Sequence, residues 1–220
     1  ILAQNLNLRI YSYPEYIYEQ TKDKVRVVIG GSHGKTSITS MILHVLNFHD
    51  IEHDYMVGAQ LEGFECMVQL SESSKIAVLE GDEYLSSPID RRPKFHLYQP
   101  NIALISGIAW DHINVFPTFD NYVEQFQIFV DKIEQNGTIV YCTADENVKL
   151  VSEKARADIK QKGYTTHVNK IEEGQTILID EDNVYPLEIF GEHNLQNLNG
   201  ALNICIELGI TKEDFYKAIQ

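Results

Sequence analysis

A glycine-rich segment at residues 30–37 constrains the fold of this chain more than any other feature. It reads GGSHGKTS and directly follows a β-branched run, VRVVI, at residues 25–29. The residues after it repeat apolar side chains at three- and four-residue spacing, which is typical of an amphipathic helix: Ile38, Met41, Ile42, Val45 and Leu46. We therefore expect a buried strand, a tight glycine-rich loop and a helix, in that order.

The composition of this loop indicates a phosphate-binding site. Glycines let the backbone turn tightly and bring its N–H groups close to a ligand. The positive end of the following helix adds to this attraction, so successive amides can hold phosphate oxygens. Lys35 would neutralise charge on the β- and γ-phosphates of a nucleotide, and the Thr36 hydroxyl would bind Mg²⁺. The predicted nucleotide-binding residues of the loop are Gly31, Ser32, His33, Gly34, Lys35, Thr36 and Ser37.

The loop does not match the general pattern GxxxxGK[ST] completely, because Ile29 stands where the first glycine would be. A glycine-rich turn that only packs closely is therefore one alternative. A kinase or GTPase is another, and it would require a guanine-reading motif or a mobile lid rich in arginine. A non-catalytic nucleotide-binding module is the third. Nucleotide binding alone does not choose among these classes.

The charge balance argues against nucleic acid and membranes as partners. The chain has 18 basic and 32 acidic residues, a formal net charge of −14. Binding to nucleic acid or to anionic lipid depends on Lys and Arg that neutralise phosphates. The three cysteines are widely spaced and suit neither a disulfide framework nor a zinc site. Buried free thiols in a reducing cytoplasm are the expected state.

Hydrophobic patterns along the rest of the chain predict an α/β fold. Strands are expected at residues 75–80, 101–106 and 137–142, and helices at residues 119–134, 146–161 and 193–208. Strands that alternate with helices predict a mostly parallel sheet flanked by helices. Two β-rich runs around residues 181–183 predict a small antiparallel hairpin subdomain at about 163–190. Thr211 and Asp214 are spaced as a capping box that would begin a last helix.

Four motifs, in order along the chain, resemble those of the Mur ligase family. The loop is similar to the family signature GT[HN]GKT[ST], which also lacks the first glycine. The VLEGDE segment at residues 78–83 resembles V-x-E-x-D-E, and Asp111 and His112 resemble the D-H motif. The segment GEHNLQN at residues 191–197 resembles G-x-H-N-x-x-N. Four ordered motifs are far more specific than any one alone.

The resemblance implies a metal and catalytic centre. Its expected catalytic residues are Lys35, Glu80 and His112, and its expected Mg²⁺ ligands are Thr36, Glu80 and His112. A carboxylate at the carboxyl end of a strand suits this hard cation and lies where open α/β sheets bind ligands. His112 owes its assignment to the family match alone. Asp82 and Glu83 could orient substrate or belong to a solvated acidic loop.

The same resemblance implies that His193, Asn194 and Asn197 contact adenine and ribose. Ordinary N-capping by Asn194 is the alternative for that residue. Two departures from the family stand beside the D-H motif, where Gly107 and Ala109 replace Asn and Glu of many members. Residues 119–130 contain no lysine, so the carbamylated lysine of some relatives is not expected.

Members of this family use ATP to join UDP-N-acetylmuramate to an amino acid or peptide, and they have three domains. The resemblance therefore implies that residues 1–24 end an N-terminal UDP-sugar domain, that 25–210 form the central ATP-binding domain, and that 211–220 lead into a C-terminal domain. Residues 82–95 are most similar to the murein peptide ligase branch, which accepts L-alanyl-γ-D-glutamyl-meso-diaminopimelate. The L-alanine-adding branch is the alternative, and the isolated fragment is expected to be inactive.

Overall fold

The computed structural model describes residues 5–60, 63–110, 113–181 and 183–220. Six α-helices are assigned in this part of the chain: α1 (Tyr13–Thr21), α2 (Lys35–Phe48), α3 (Phe119–Asp131), α4 (Glu146–Ser152), α5 (Glu192–Glu207) and α6 (Lys212–Ala218). A 3₁₀ helix spans Lys94–Leu97. The strands are β1 (Val25–Gly30), β2 (Asp54–Met56), β3 (Val68–Gln69), β4 (Ile76–Glu80), β5 (Ile102–Ile105), β6 (Thr138–Cys142), β7 (Lys160–Tyr164), β8 (Asn169–Glu172), β9 (Gln175–Asp180) and β10 (Asn183–Leu187).

Within the described residues, seven strands form one sheet in the order β3-β2-β4-β1-β5-β6-β7. All neighbours pair in parallel except β3, which runs antiparallel to β2. Side chains of β1 alternate between two hydrophobic cores, because successive strand residues point to opposite faces. Val27 and Ile29 face the core that contains α2, α5 and α6, whereas Val28 faces the one that contains α1, α3 and α4. The expected α/β fold with a mostly parallel sheet is confirmed.

The small antiparallel subdomain is also present, with one more strand than the predicted hairpin. Strands β8, β9 and β10 form a separate sheet in the order β10-β9-β8. The helix predicted at residues 146–161 is wrong in its second half, since α4 ends at Ser152 and β7 pairs with β6. The segment KQKGY at residues 160–164 lacks apolar alternation because it is an edge strand, stabilised mainly by its backbone ladder.

A buried arginine fixes the beginning of β1. The Arg26 side chain is only 2% exposed, and its Nε donates to the carbonyl oxygens of Tyr98 and Gln99, both at 2.9 Å. Its Nη1 donates to the carbonyl of Thr21, and Nη2 forms an ion pair with Glu134 at 3.1 Å. A buried charge is tolerable when its donors are satisfied in this way. Arg26 thus joins the end of α1 to the segments before β5 and β6.

Helix α6 begins at the predicted cap and docks on α2. Thr211 Oγ1 accepts a hydrogen bond from the Asp214 N–H at 3.1 Å, as the capping motif requires. Two histidines near the carboxyl end of α2 hold the helix: His44 Nε2 contacts the Ala218 carbonyl at 2.8 Å, and His49 Nε2 contacts the Asp214 carbonyl at 2.9 Å. α6 is therefore packed against the central sheet unit through α2.

One further expectation concerns the cysteines. All three cysteines are free, with Cys142 and Cys205 buried and Cys66 exposed, so the expectation of burial is wrong for Cys66. None of the helices in the described ranges combines the length and apolar character that crossing a bilayer requires.

Burial of His96 predicts that acid destabilises the fold. The ring lies in the 3₁₀ helix, its Nε2 contacts the Gln125 carbonyl at 2.8 Å, and burial lowers its pKa from 6.5 to about 4. An unfolded chain would bind this proton already near pH 6.5, so stability should fall as pH drops from about 6.5 toward about 4.

Urea unfolding at about pH 7 and about pH 5 measures this effect in the wild type and in His96→Gln. The wild type should lose about 2 kcal/mol more than the variant between the two conditions. Equal losses in both proteins would assign the acid sensitivity to other groups.

Candidate active site

The glycine-rich loop joins β1 to α2 at the carboxyl edge of the sheet. Helix α2 begins at Lys35 with Gly34 as its N-cap, at φ 79°, and no side chain caps its first turn. The first N–H groups of a helix have no acceptor within the helix, and the helix dipole makes this end positive. The residues present therefore fit a phosphate ligand.

Two positions of the loop require glycine, because their backbone φ angles are positive and because neighbouring atoms leave no space for a Cβ. Gly31 has φ +128°, and a Cβ added there would overlap Ser106 Oγ at the end of β5. A Cβ added at Gly34, with φ +79°, would overlap Oδ1 of Asn197 on α5. The backbone of the loop therefore lies in close contact with the end of β5 on one side and with α5 on the other.

Thr36 and Glu80 lie together beside this loop. The Thr36 hydroxyl donates to Glu80 Oε1 at 2.9 Å, and Glu80 Oε2 accepts from the Gly58 N–H at 2.8 Å. Glu80 is the last residue of β4 and pairs with Ile29 of β1, which explains the juxtaposition. A hydroxyl and a carboxylate are oxygen ligands of the kind that Mg²⁺ accepts when phosphate oxygens and water complete its shell. This pair therefore fits a magnesium ion.

The third predicted ligand cannot be placed, because Asp111 and His112 lie outside the described residues. Within the described ranges, no group of three or more His, Cys, Asp or Glu side chains is arranged to hold a metal. The described part of the chain thus offers a two-residue site of Thr36 and Glu80, and the role of His112 stays a prediction.

Lys35 forms an ion pair with the buried carboxylate of Glu83. Its Nζ lies 2.9 Å from Glu83 Oε2 and also donates to the Gly31 carbonyl. The Glu83 side chain is 0% exposed, so burial raises its pKa, while the charge of Lys35 acts in the opposite direction. The alternative that Glu83 belongs to a solvated acidic loop is therefore wrong. Asp82 is partly exposed and pairs with Lys94 at 2.6 Å, a partner that the sequence did not indicate.

Tyr122 is a second residue that the sequence did not indicate. Its hydroxyl lies 2.8 Å from Ser32 Oγ and 3.4 Å from Glu83 Oε1, and Ser32 Oγ accepts from the Ala109 N–H at 2.8 Å. Tyr122 belongs to the apolar face of α3, where an aromatic residue predicts only core packing. Its hydroxyl nevertheless connects the loop to the acidic segment after β4.

Helix α5 brings the predicted adenine motif to the loop. The ring centroids of His193 and His33 are 6.5 Å apart, and Asn197 contacts the loop at Gly34 as described above. Asn194 instead donates from Nδ2 to the Phe190 carbonyl at 2.9 Å. The N-cap of α5 is Gly191, so the alternative of N-capping by Asn194 is wrong.

Ser37 lies in the first turn of α2, where its carbonyl accepts from Ser40 Oγ.

Gly107, one of the two departures from the family pattern, lies against the ring of His33. A Cβ added to Gly107 would overlap the His33 ring. An asparagine at this position would therefore require the histidine to move. Ala109, the second departure, is exposed and contributes its backbone N–H to Ser32.

A cavity of about 470 Å³ opens beside the Lys35, Glu80 and Glu83 side chains. Its remaining wall combines charged and aromatic or apolar groups, which include Tyr13, Met56, Asp82, Tyr84, Lys94 and Tyr98. This volume is in the usual range of small-molecule sites. A cleft of about 560 Å³ between the 3₁₀ helix and α3, lined in part by Arg91 and Lys132, contains none of the predicted site residues.

The contact between Gly34 and Asn197 can be tested through stability. Gly34→Ala and Gly174→Ala place alanine at nearly the same backbone angle, φ +79° and φ +84°, but only Gly34 has a neighbour within 4 Å. Both changes should cost about 1 kcal/mol in backbone strain, and Gly34→Ala should cost roughly 1–3 kcal/mol more from overlap with Asn197.

Denaturant unfolding of both variants measures the difference. Adding Asn197→Ala to Gly34→Ala should recover most of the extra loss. If the two single variants were equally stable, the close approach of α5 to the loop would be contradicted.

Comparisons with known proteins agree with this architecture. Residues 29–205 match the family model of the Mur ligase middle domain. The UDP-N-acetylmuramate–L-alanine ligase of Caldicellulosiruptor saccharolyticus is 32% identical over 236 residues, which cover 100% of this chain and 49% of that protein. The UDP-N-acetylmuramate–L-alanyl-γ-D-glutamyl-meso-2,6-diaminoheptandioate ligase of Haemophilus influenzae is 22% identical, over 97% of this chain and 49% of its own length.

The crystal structure of the UDP-N-acetylmuramate:L-alanyl-γ-D-glutamyl-meso-diaminopimelate ligase from Neisseria meningitides has the same fold. It superposes with a TM-score of 0.86 at 22% identity and covers 99% of this chain and 72% of that one. The chain spans about half the length of the curated relatives it matches. Because the model of the Mur ligase middle domain matches residues 29–205, which are most of the sequence, this chain belongs to the Mur ligase family.

Proposed function

We propose that the protein containing this chain is an ATP-dependent, ADP-forming ligase of peptidoglycan synthesis or recycling that works in the cytoplasm. It would join the carboxylate of UDP-N-acetylmuramate to the amine of a cell-wall peptide. The observation that supports this most is a convergence at one sheet edge. There the uncapped start of α2, the Thr36–Glu80 oxygen pair and Asn197 of α5 surround the same loop.

The reaction must first make a carboxylate oxygen into a good leaving group. In the proposed first step, a carboxylate oxygen attacks the γ-phosphorus of ATP and the bond to the ADP oxygen breaks, which gives an acyl phosphate and ADP. In the second step, the amine nitrogen attacks the acyl carbon. The carbon–oxygen bond then breaks with release of inorganic phosphate, and the nitrogen loses a proton to complete the amide.

The described residues suit the demands of the first step, which brings an anionic carboxylate against a triphosphate. Lys35 would offset negative charge on the transferred phosphoryl group. Thr36 and Glu80, together with His112, would hold Mg²⁺, which supplies additional positive charge at the phosphates. The loop amides of residues 31–37 would bind phosphate oxygens, and His193, Asn194 and Asn197 would contact the base and ribose.

For the amine substrate we propose the tripeptide L-alanyl-γ-D-glutamyl-meso-diaminopimelate. The similarity of residues 82–95 to the murein peptide ligase branch supports this choice. Relatives named for L-alanine and relatives named for the tripeptide both match the chain, so L-alanine is the competing substrate. In this proposal the carboxylate to be activated would enter the cavity beside Lys35.

We further propose that residues 25–210 form the central domain between two flanking domains, with residues 1–24 and 211–220 as the connections. The matched relatives are about twice as long as this chain, which leaves room for both. The flanking domains would position the UDP-sugar and the amine against the nucleotide. Since positioning contributes much of the rate in such reactions, the isolated chain should bind ATP without ligating.

Phosphate release from ATP by the full-length protein tests the proposal. Release should require both UDP-N-acetylmuramate and the tripeptide, and Lys35→Ala should lower the rate by roughly 10²–10³. Lys170→Ala is the matched control, because Lys170 lies in the small sheet and pairs only with Glu172 among the described residues. Its rate should equal that of the wild type.

Three outcomes would contradict parts of this proposal. An unchanged rate in Lys35→Ala would remove that ammonium from the mechanism. Release that depends on L-alanine instead of the tripeptide would assign the other branch. Absence of release with either amine would leave a non-catalytic nucleotide-binding module.

A further inference from the structure

The buried carboxylate of Glu83 holds the ammonium on which the proposed phosphate site depends. Lys35 Nζ lies 2.9 Å from Glu83 Oε2 and 3.3 Å from Oε1, and it donates to the Gly31 carbonyl as well. A lysine ammonium has three N–H donors, and these contacts engage them. Lys35 can therefore bind a phosphate oxygen only if it gives up part of this arrangement.

Glu83 is fixed where it is by contacts other than Lys35. Its Oε1 lies 3.4 Å from the Tyr122 hydroxyl, which is itself 2.8 Å from Ser32 Oγ in the loop. The Tyr122 ring packs against Phe116 and Phe126, with centroids 5.4 Å and 5.2 Å apart. Movement of the carboxylate with the ammonium toward a ligand would therefore break its contact with a residue of the packed core.

Burial makes this competition strong. Glu83 is 0% exposed and Lys35 only 15% exposed, so solvent screens their attraction weakly. Separating a buried pair leaves an uncompensated charge, which is costly. A phosphate that takes Lys35 away from Glu83 must offset that cost from its own binding free energy.

We propose that Glu83 is a positioning residue that sets the affinity of this site for nucleoside triphosphates by competing with the phosphates for Lys35. The inference rests on the proposed ATP binding and deepens it. Loss of the Glu83 charge should tighten binding of ligands whose β- and γ-phosphates reach Lys35. It should leave ligands without those phosphates unaffected. A residue needed only for folding would produce neither the direction nor the selectivity.

Calorimetric titration of the full-length protein, with Mg²⁺ present, separates these cases. In Glu83→Gln the Kd for ATP should fall on the order of tenfold, the scale of one charge-assisted hydrogen bond. The Kd for AMP should not change. In the Lys35→Ala background the same substitution should give no gain for ATP, because the ammonium under competition is absent.

Asp54→Asn is the matched control. Asp54 is also a fully buried acid paired with a lysine, Lys24, at 2.5 Å, but it lies at the amino end of β2, away from the loop. The Asp54→Asn substitution controls for the loss of a buried ion pair as such, and it should leave ATP affinity unchanged.

If Glu83→Gln does not fold, Glu83→Asp retracts the carboxylate from Lys35 and should give a smaller gain in ATP affinity.

Each result decides one question. If the wild-type protein binds no ATP, the proposed function itself is contradicted. Wild-type protein that binds ATP, with unchanged or weaker binding in the Glu83 variants, would overturn the inference alone. An equal gain for AMP, or a gain in Asp54→Asn, would also overturn it, because the effect would then not pass through Lys35 and the outer phosphates.

Discussion

The parallel pairing of β1 with both of its neighbours is the constraint on which the rest of the site depends. Ile29 pairs with Glu80 of β4, and Gly30 pairs with Ile105 of β5. This register brings three strand ends to one edge, where open α/β sheets bind their ligands. A slip of one residue between β1 and β4 would move each β4 side chain to the opposite face of the sheet and separate Glu80 from Thr36. The chemistry of the edge is therefore a consequence of the central ladder.

An acidic chain must bind an anion by local means, because its overall field is unfavourable. With a net charge of −14, long-range attraction cannot bring phosphate to the loop. The positive groups next to the loop include the Lys35 ammonium and the uncapped amides of α2, and acidic side chains adjoin both. Such an arrangement favours a ligand that arrives with its own cation and disfavours bare anions.

Sequence patterns predicted those parts of the structure that depend on local periodicity. The strand, loop and helix around residues 25–48 follow from spacing and glycine content, and the contact of Glu80 with Thr36 was foreseeable from its place at a strand end. The role of Tyr122 and the pairing of Glu83 with Lys35 were not foreseeable, because such contacts form only when segments distant in sequence meet. The sequence did not predict the edge strand β7, because its stability comes from backbone pairing rather than from apolar side chains.

Helix α2 is one continuous element with the glycine-rich loop at its start and α6 attached near its end. The two attachments, at His44 and His49, lie on its last turns. A helix of this length spans roughly 20 Å at about 1.5 Å per residue. The same helix therefore carries the amides of the loop at one end and the contacts to α6 at the other. The glycine-rich turn and the carboxyl-terminal segment are joined through one packed helix.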